Sequence, residues 1–189
     1  MTEQLTQMLR TDARDNRDRI LEAARCLFSE RGIDVPMRDI ARAAQVGPAT
    51  LYRRFPTKQL LIDEAFADEL RACRGIVERG AADPDPWRGF CFVIEQIGLL
   101  NARNHGFVDA FTQANPQVDS FVAHRASLLH ILAGLAQRAQ ASGGLRPDFV
   151  MDDLVLVLLA GRGLSGVRLD RREAAARRFA ALAIDALRA

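Results

Sequence analysis

The segment from Asp34 to Lys58, DVPMRDIARAAQVGPATLYRRFPTK, constrains the fold more than any other part of the chain. Apolar residues in its first half recur at helical spacing and predict a helix over 38–44. Gly47 can cap a second helix, and Pro48 suits its first position because the φ of proline is already helical. The segment therefore predicts two short helices joined by a tight turn.

The second helix, Pro48 to about Arg54, has one apolar seam made by Leu51 and Phe55. A short helix with a rim of Thr, Tyr and Arg around such a seam suits the major groove of DNA. Two short helices and a turn also occur in many α-proteins without that function, so the architecture alone leaves the plain structural alternative open. Pro56 ends this helix, and Thr57 can cap another helix that starts at Lys58.

The residues of this segment point to one family. The run RDIARAAQVGPATLYRRFPTKQLL, with an amphipathic helix before it, resembles the helix-turn-helix of the tetracycline-repressor (TetR/AcrR) family of bacterial regulators. The matching features are D-I-A followed by A-x-V, then T-L-Y, Phe and Lys. The resemblance extends from Arg14 to about Phe66, and beyond that it is an agreement of length and helical pattern.

The resemblance implies a set of DNA contacts. It implies that Arg38 reaches a base or a phosphate, that Pro48, Ala49 and Arg53 face base edges, and that other residues hold the phosphate backbone. The residues implied in DNA binding are Arg38, Pro48, Ala49, Thr50, Tyr52, Arg53, Arg54 and Lys58.

Two positions depart from the family pattern. Pro36 and Met37 stand where the family usually has a Thr or Ser that caps the first helix of the motif, and neither side chain can do so. Gln45 replaces the Gly common in the turn, so we expect an unfavourable φ at this residue.

The rest of the chain reads as helix throughout. Periodic apolar residues predict further helices at Arg14 or Asp15 to Arg31, 58–79, 86–103, around Phe107 to Phe111, 116–141, 148–164 and 170–187. No stretch alternates with period two, so the fold class is all-α with about nine helices. We expect residues 1–57 to form a loose arm of about 13 residues and a three-helix DNA-binding domain. We expect residues 58–189 to form a ligand-binding and dimerisation domain, with 58–79 as the connecting helix.

Composition excludes several classes. Residues 1–58 carry 11 Arg and Lys against 8 acids, and residues 59–189 carry 15 against 16, so the first third is mildly basic. The apolar run over 154–159 is far too short for a membrane span of about 20 residues. The polar N-terminus does not resemble a signal peptide, and three widely spaced cysteines favour buried free thiols in the cytoplasm. No catalytic or metal-binding motif appears, so we expect no cofactor.

The large apolar residues of the middle helices are more often plain core, but the resemblance implies a cavity for an inducer among them. Arg125 interrupts an apolar stripe and would either pair with an acid or meet a polar ligand group. The residues predicted to line the cavity are Phe90, Ile94, Ile97, Phe107, Phe111, Phe121, Arg125 and Leu128. The last two helices are expected to form a homodimer seam through Leu154, Leu158, Phe179, Leu182, Ala183, Ala186 and Leu187.

The sequence thus predicts a homodimeric regulator, a repressor that binds a pseudo-palindromic double-stranded DNA operator and is released by a small hydrophobic inducer. One alternative is a DNA-binding or recruitment module that responds to no ligand, and a remote alternative is a small helical enzyme. The sequence does not name the inducer, the operator or the regulated genes.

Overall fold

A computed structural model describes residues 2–103 and 119–189 of the chain, with side chains over 15–103, 123–161 and 163–189 apart from residues 165 and 169. The described residues form nine α-helices and one 3-10 helix, with no β-strand, which confirms the all-α class. The helices are α1 (Thr2–Arg31), α2 (Met37–Ala43), α3 (Pro48–Arg54), α4 (Lys58–Ala65), α5 (Ala67–Ala81), α6 (Pro86–Arg103), α7 (Asp119–Ala141), α8 (Met151–Gly161), the 3-10 helix (Arg162–Gly166) and α9 (Leu169–Leu187).

The chain divides into two compact units, which we call the head (Met1–Ala67) and the body (Asp68–Ala189). The division falls after Ala67 and not at the predicted boundary of 57/58. The reason is that α4 packs on α1 and buries Leu61, Ile62 and Ala65. The apolar face of α4 thus completes the head.

The core of the head is built from α1 to α4. Ile20, Ala24 and Phe28 of α1 are completely buried, as the predicted stripe requires. Helices α2 and α3 contribute Ile40 and Leu51, which are also completely buried. Gly32 ends α1 with a φ of 78°, the left-handed conformation expected of a glycine just past a helix C-terminus.

Helix α1 is longer than predicted. We expected a loose arm over the first 13 residues, but the backbone is helical from Thr2. The segment 2–13 contains no Gly or Pro, so nothing in it stops a helix that the amphipathic part has already nucleated.

The predicted connecting helix is two helices. Helix α4 ends at Ala65, Phe66 has φ −111° and ψ 14°, and α5 begins at Ala67. The Nε of Arg25 donates to the Ala65 carbonyl oxygen at 2.8 Å, so this oxygen accepts a hydrogen bond from a side chain of α1. Phe66 is completely buried, with its ring centroid 5.9 Å from that of Phe28. The head core therefore holds Phe66 in the non-helical conformation.

The central helix of the body is α6, which packs against α7, α8 and α9. Asp85 caps it, and its carboxylate accepts hydrogen bonds from the backbone N–H groups of Trp87 and Arg88 at 3.0 and 3.1 Å. Phe90 is completely buried and meets Phe149 edge-on at 5.5 Å between ring centroids. On α6, Phe90, Val93, Ile94 and Ile97 are buried along one face and Leu99 is buried as well, whereas Cys91 and Phe92 are only half-buried.

Hydrogen bonds of Arg146 link separate parts of the body, and we call this group of contacts the clasp. Arg146 Nη2 donates to Asp153 Oδ2 at 2.8 Å, and the Arg146 backbone N–H donates to the Leu187 carbonyl oxygen at 3.0 Å. Gln140 Nε2 lies 3.2 Å from the Arg146 carbonyl oxygen. The turn between α7 and α8 is thus tied to the end of α9.

Two further predictions changed or remain open. Helix α8 begins at Met151, later than the predicted 148, and continues as the 3-10 helix. The predicted short helix at Phe107 to Phe111 and the predicted cap at Asn115-Pro116 lie outside the described residues. Among the described helices, none combines the length and apolar character needed to cross a bilayer.

Candidate nucleic-acid interface

Helices α2 and α3 form the predicted helix-turn-helix. The turn closes through the backbone, where Ala44 N–H donates to the Ile40 carbonyl at 2.9 Å and Val46 N–H to the Ala41 carbonyl at 3.0 Å. Gln45 has a φ of 55°, which confirms the unfavourable conformation expected where the family has Gly. The geometry of the motif is therefore kept although this residue is strained.

Helix α3 presents most of its surface to solvent. Leu51 is its only buried residue, and Phe55, which follows the helix, is buried as well. Gly47 caps the helix and Pro48 occupies its first position, as predicted. Because only one seam anchors α3, its other faces are free to enter a groove about 12 Å wide.

Most of the predicted DNA-binding residues are exposed to solvent. Tyr52 is 52% exposed although it is aromatic, and Thr50 is half-buried. The exposed residues of the set are Arg38, Pro48, Ala49, Arg53 and Arg54. Small groups like those at the start of α3 are the kind that contacts thymine methyls, and guanidinium groups like those further along are the kind that donates to guanine or phosphate.

Lys58 lies at the start of α4 and is half-buried. Burial lowers the pKa of its ammonium group, and the charge of Asp34 opposes that shift. Thr57 Oγ1 accepts the Leu60 backbone N–H at 3.2 Å, so the predicted cap is confirmed.

The start of α2 shows the consequence of the first departure. Pro36 is the N-cap residue with φ −64° and ψ 141°, and it makes no side-chain capping bond, as expected. The Met37 side chain is buried. Asp39 N–H donates to the Pro36 carbonyl at 2.9 Å, so the backbone closes this turn without a polar side chain.

Sequence reasoning missed the pair formed by Asp39 and Arg42 on α2. Arg42 Nη2 donates to Asp39 Oδ1, and Arg38 Nε lies 3.9 Å from the same oxygen. The signal was present as acid and base three residues apart on a helix, a spacing at which side chains meet. Arg42 thus joins Arg38 on the exposed side of α2.

The cysteines differ from the prediction at one position. Cys26 is exposed and lines an open groove of about 500 Å³ between α1 and the end of α2. Cys73 is buried and Cys91 half-buried, and burial raises the pKa of their thiols to about 12 and about 11. Both of these thiols are protonated at neutral pH and are poor nucleophiles.

The predicted inducer residues are brought together only in part. Phe90, Ile94, Ile97 and Leu128 are buried, and Arg125 is half-buried. Phe107 and Phe111 lie outside the described residues, as does the side chain of Phe121. A cavity of about 20 Å³, room for about one water molecule, lies beside Ile94 and is lined otherwise by α6, α8, the 3-10 helix and α9.

The predicted dimer residues divide into two groups. Leu154, Ala183 and Leu187 are buried within the single chain, which corrects their assignment to a surface. Leu182 is exposed, as is Ala186, and Leu158 and Phe179 are half-buried. Three further exposed apolar residues that were not predicted lie on or next to α8, namely Val150, Leu156 and Leu159.

Comparison with known proteins identifies relatives of this chain. Residues 20–65 match the family model of bacterial regulatory proteins of the tetR family. The chain is 30% identical over 133 residues to the HTH-type transcriptional repressor KstR of Mycobacterium tuberculosis, and this match covers 69% of the chain but only 60% of KstR.

Two solved structures extend the likeness over nearly the whole chain. The TetR transcriptional regulator SCO0520 from Streptomyces coelicolor is 33% identical, with 91% of this chain and 98% of that chain covered and a TM-score of 0.54. SCO3833, a TetR-family member from Streptomyces coelicolor A3, has a TM-score of 0.72 at 21% identity, covering 90% and 91% of the two chains. The second likeness concerns the fold alone.

Proposed function

Because the chain belongs to the TetR family of transcriptional regulators, we propose that it binds a pseudo-palindromic DNA operator as a homodimer and represses transcription until a small hydrophobic inducer releases it. The observation that carries the proposal is the exposed face of α2 and α3. There four arginines and Tyr52 are exposed, while the large apolar residues Ile40, Leu51 and Phe55 are buried.

Each part of this face has a role in binding. Guanidinium groups donate two parallel hydrogen bonds to guanine, and Arg38 and Arg53 are exposed for that purpose. Thr50, Tyr52 and Lys58 would hold phosphates, which fix the register of the helix on the duplex without reading sequence.

A homodimer explains how one short helix could reach useful affinity. A two-fold axis would place two copies of α3 in successive major grooves, about 34 Å apart, so the operator would be a pseudo-palindrome. Leu182 of α9 and Leu156 of α8 are large apolar side chains exposed in the single chain, and burial against a second copy would remove them from water.

The inducer part of the proposal is supported by the apolar residues of α6 and α7 in the body. A mostly apolar molecule oriented by one or two polar groups would suit them, and the half-buried Arg125 favours an anionic or carbonyl-bearing ligand. Release would follow from population shift, in which inducer binds better to a form that DNA binds worse.

The test begins with DNA selected from a random pool by the purified protein. The selected sequences should contain a pseudo-palindrome, and the logarithm of affinity should fall linearly with the logarithm of salt concentration. If no sequence is enriched from the pool at low salt, the proposal of sequence-specific operator binding is wrong.

A thermal-shift screen of apolar acids, ketones and cationic dyes tests the inducer. A ligand that raises the melting temperature should lower operator affinity, and operator should lower ligand affinity by the same factor. Stabilisation by cationic dyes alone would contradict the anionic preference. Selection of an operator together with no hit in the screen would favour a regulator that responds to no ligand.

A further inference from the structure

Asp39 lies between two arginines on α2. Its Oδ1 accepts a hydrogen bond from Arg42 and lies 3.9 Å from the Nε of Arg38. The Arg38 and Arg42 side chains are 82% and 77% exposed, whereas that of Asp39 is 23% exposed. A partly sheltered carboxylate thus accepts a hydrogen bond from one solvent-facing guanidinium group and lies near a second.

The carboxylate also has a structural role that needs neither arginine. Asp39 occupies the first turn of α2, where a negative charge interacts favourably with the helix dipole. The N-cap residue Pro36 contributes no side-chain bond there. A role of this kind predicts an effect on the stability of the head and no effect on the choice between DNA sequences.

Asp39 lies on a face that would approach a polyanion, and this location argues for a second role. A carboxylate beside phosphates is repelled, and it offsets part of the positive charge that draws the protein to any duplex. The carboxylate charge, 3.9 Å from Arg38 Nε, favours those rotamers of Arg38 that keep its guanidinium group nearby. A side chain whose rotamers are already biased loses less entropy when it contacts a base.

We propose that Asp39 is a specificity-determining residue of the DNA interface, which weakens binding to non-operator DNA and positions Arg38 for its base contact. The inference rests on the proposed operator binding. On non-operator DNA, Asp39 remains paired with Arg42 and repels the backbone. On the operator, the base contact of a positioned Arg38 offsets that repulsion.

The experiment compares operator with a shuffled duplex of the same length, using the full chain and its Asp39→Asn variant over a range of salt concentrations. Affinity for the shuffled duplex should rise about fivefold per half-site, since removing one charge near phosphate changes the interaction by that factor in water. The operator-to-shuffled ratio should fall about three- to tenfold, the range that corresponds to ordering one flexible side chain.

Three controls separate the possible causes. Glu95→Gln removes the same charge from an exposed position on α6, away from the proposed dimer seam, and should leave the ratio unchanged. Asp39→Glu keeps the charge and should keep most of the operator preference. Thermal melts of each variant report the stability of the head, so a structural effect of the substitution is measured directly.

The outcomes are distinct. If Asp39→Asn raises affinity for both duplexes by the same factor, Asp39 contributes only charge and the specificity role is wrong. If Asp39→Asn lowers the melting temperature and both affinities together, the role is structural and the proposal is also wrong. If the wild-type chain binds the operator and the shuffled duplex equally, the operator proposal itself is wrong. The wild-type chain is therefore measured before any variant.

Discussion

The head and the body both bury their apolar residues, but their exposed surfaces differ in chemistry. Around α2 and α3 the head exposes guanidinium groups, and its one exposed aromatic side chain there, Tyr52, carries a hydroxyl. Along α8 and α9 the body exposes large apolar side chains as well as charged ones, with Leu156 63% and Leu182 52% exposed. Cationic exposure fits a polyanion, and apolar exposure fits another protein surface, so the two regions indicate two kinds of partner.

The strongest test of this difference uses two leucines of α9. Leu187 is 3% exposed, so Leu187→Glu would bury an unpaired carboxylate and should reduce the free energy of unfolding by several kcal/mol. Leu182→Glu places the same group in solvent and should leave the folded monomer nearly as stable. It should nevertheless convert a dimer to a monomer if α9 forms the seam.

Urea denaturation and light scattering read the two effects separately. A Leu182→Glu variant that keeps the size of the wild-type assembly would remove α9 from the interface. In that case the exposed apolar residues of α8 would be the next surface to test.

The two leucines also illustrate what the sequence could predict. Both are apolar residues on one helix, and periodicity with Phe179 assigned them to a single face. The buried stripe instead follows small residues, Ala176, Ala180 and Ala183, then Ile184 and Leu187. Alanines allow α9 to lie close to α6, but a ranking by side-chain size gives them little weight, so sequence reasoning selected the wrong face in part.

In the head, the sequence predicted the bounds and the buried face of α3 correctly because few alternatives were possible. Helix α3 has only Leu51 as a large aliphatic residue, and its boundaries carry Gly-Pro at one end and Pro56 at the other. The Asp39–Arg42 pair was missed although its i, i+3 spacing on a predicted helix was a usable signal. The break at Phe66 was missed because it depends on Arg25, 40 residues away, and on packing against Phe28.

The next prediction tests the cationic surface. Arg38→Ala should cost about 1–3 kcal/mol of operator binding and relax the preference at one base per half-site. Arg71→Ala is the matched control, since it removes an exposed arginine that lies beside an acid on α5 of the body. Gel-shift titrations against operator variants measure both. Equal weakening on every sequence would assign Arg38 to the phosphate backbone.

A smaller effect is expected from strain in the head. Gln45 has a φ of 55°, so Gln45→Gly should stabilise the head by about 1 kcal/mol. Gly32→Ala is the opposite change at a φ of 78° and should destabilise the head by a similar amount, although no atom lies within 4 Å of the added methyl. Hydrogen exchange of head and body amides locates the change. A stabilisation confined to the body would contradict the strain argument.

The smallest expected effect concerns the acid stability of the body. Hydrogen bonds from the Arg146 side chain and the Val150 backbone N–H hold the pKa of Asp153 below its ordinary 3.8. As pH falls below that value, the unfolded chain takes up a proton before the folded chain does, so the stability that the ion pair contributes is lost. Asp153→Asn should therefore lower stability at neutral pH and flatten its decline in acid, whereas the exposed neighbour substitution Asp152→Asn should not. Urea midpoints between pH 7 and pH 3 measure how the stability of each variant depends on pH.

The clasp ties α9 to the α7–α8 turn. If wild type and Asp153→Asn nevertheless lose stability in parallel as pH falls, other carboxylates, such as Asp83 beside Arg88, determine the acid stability of the body.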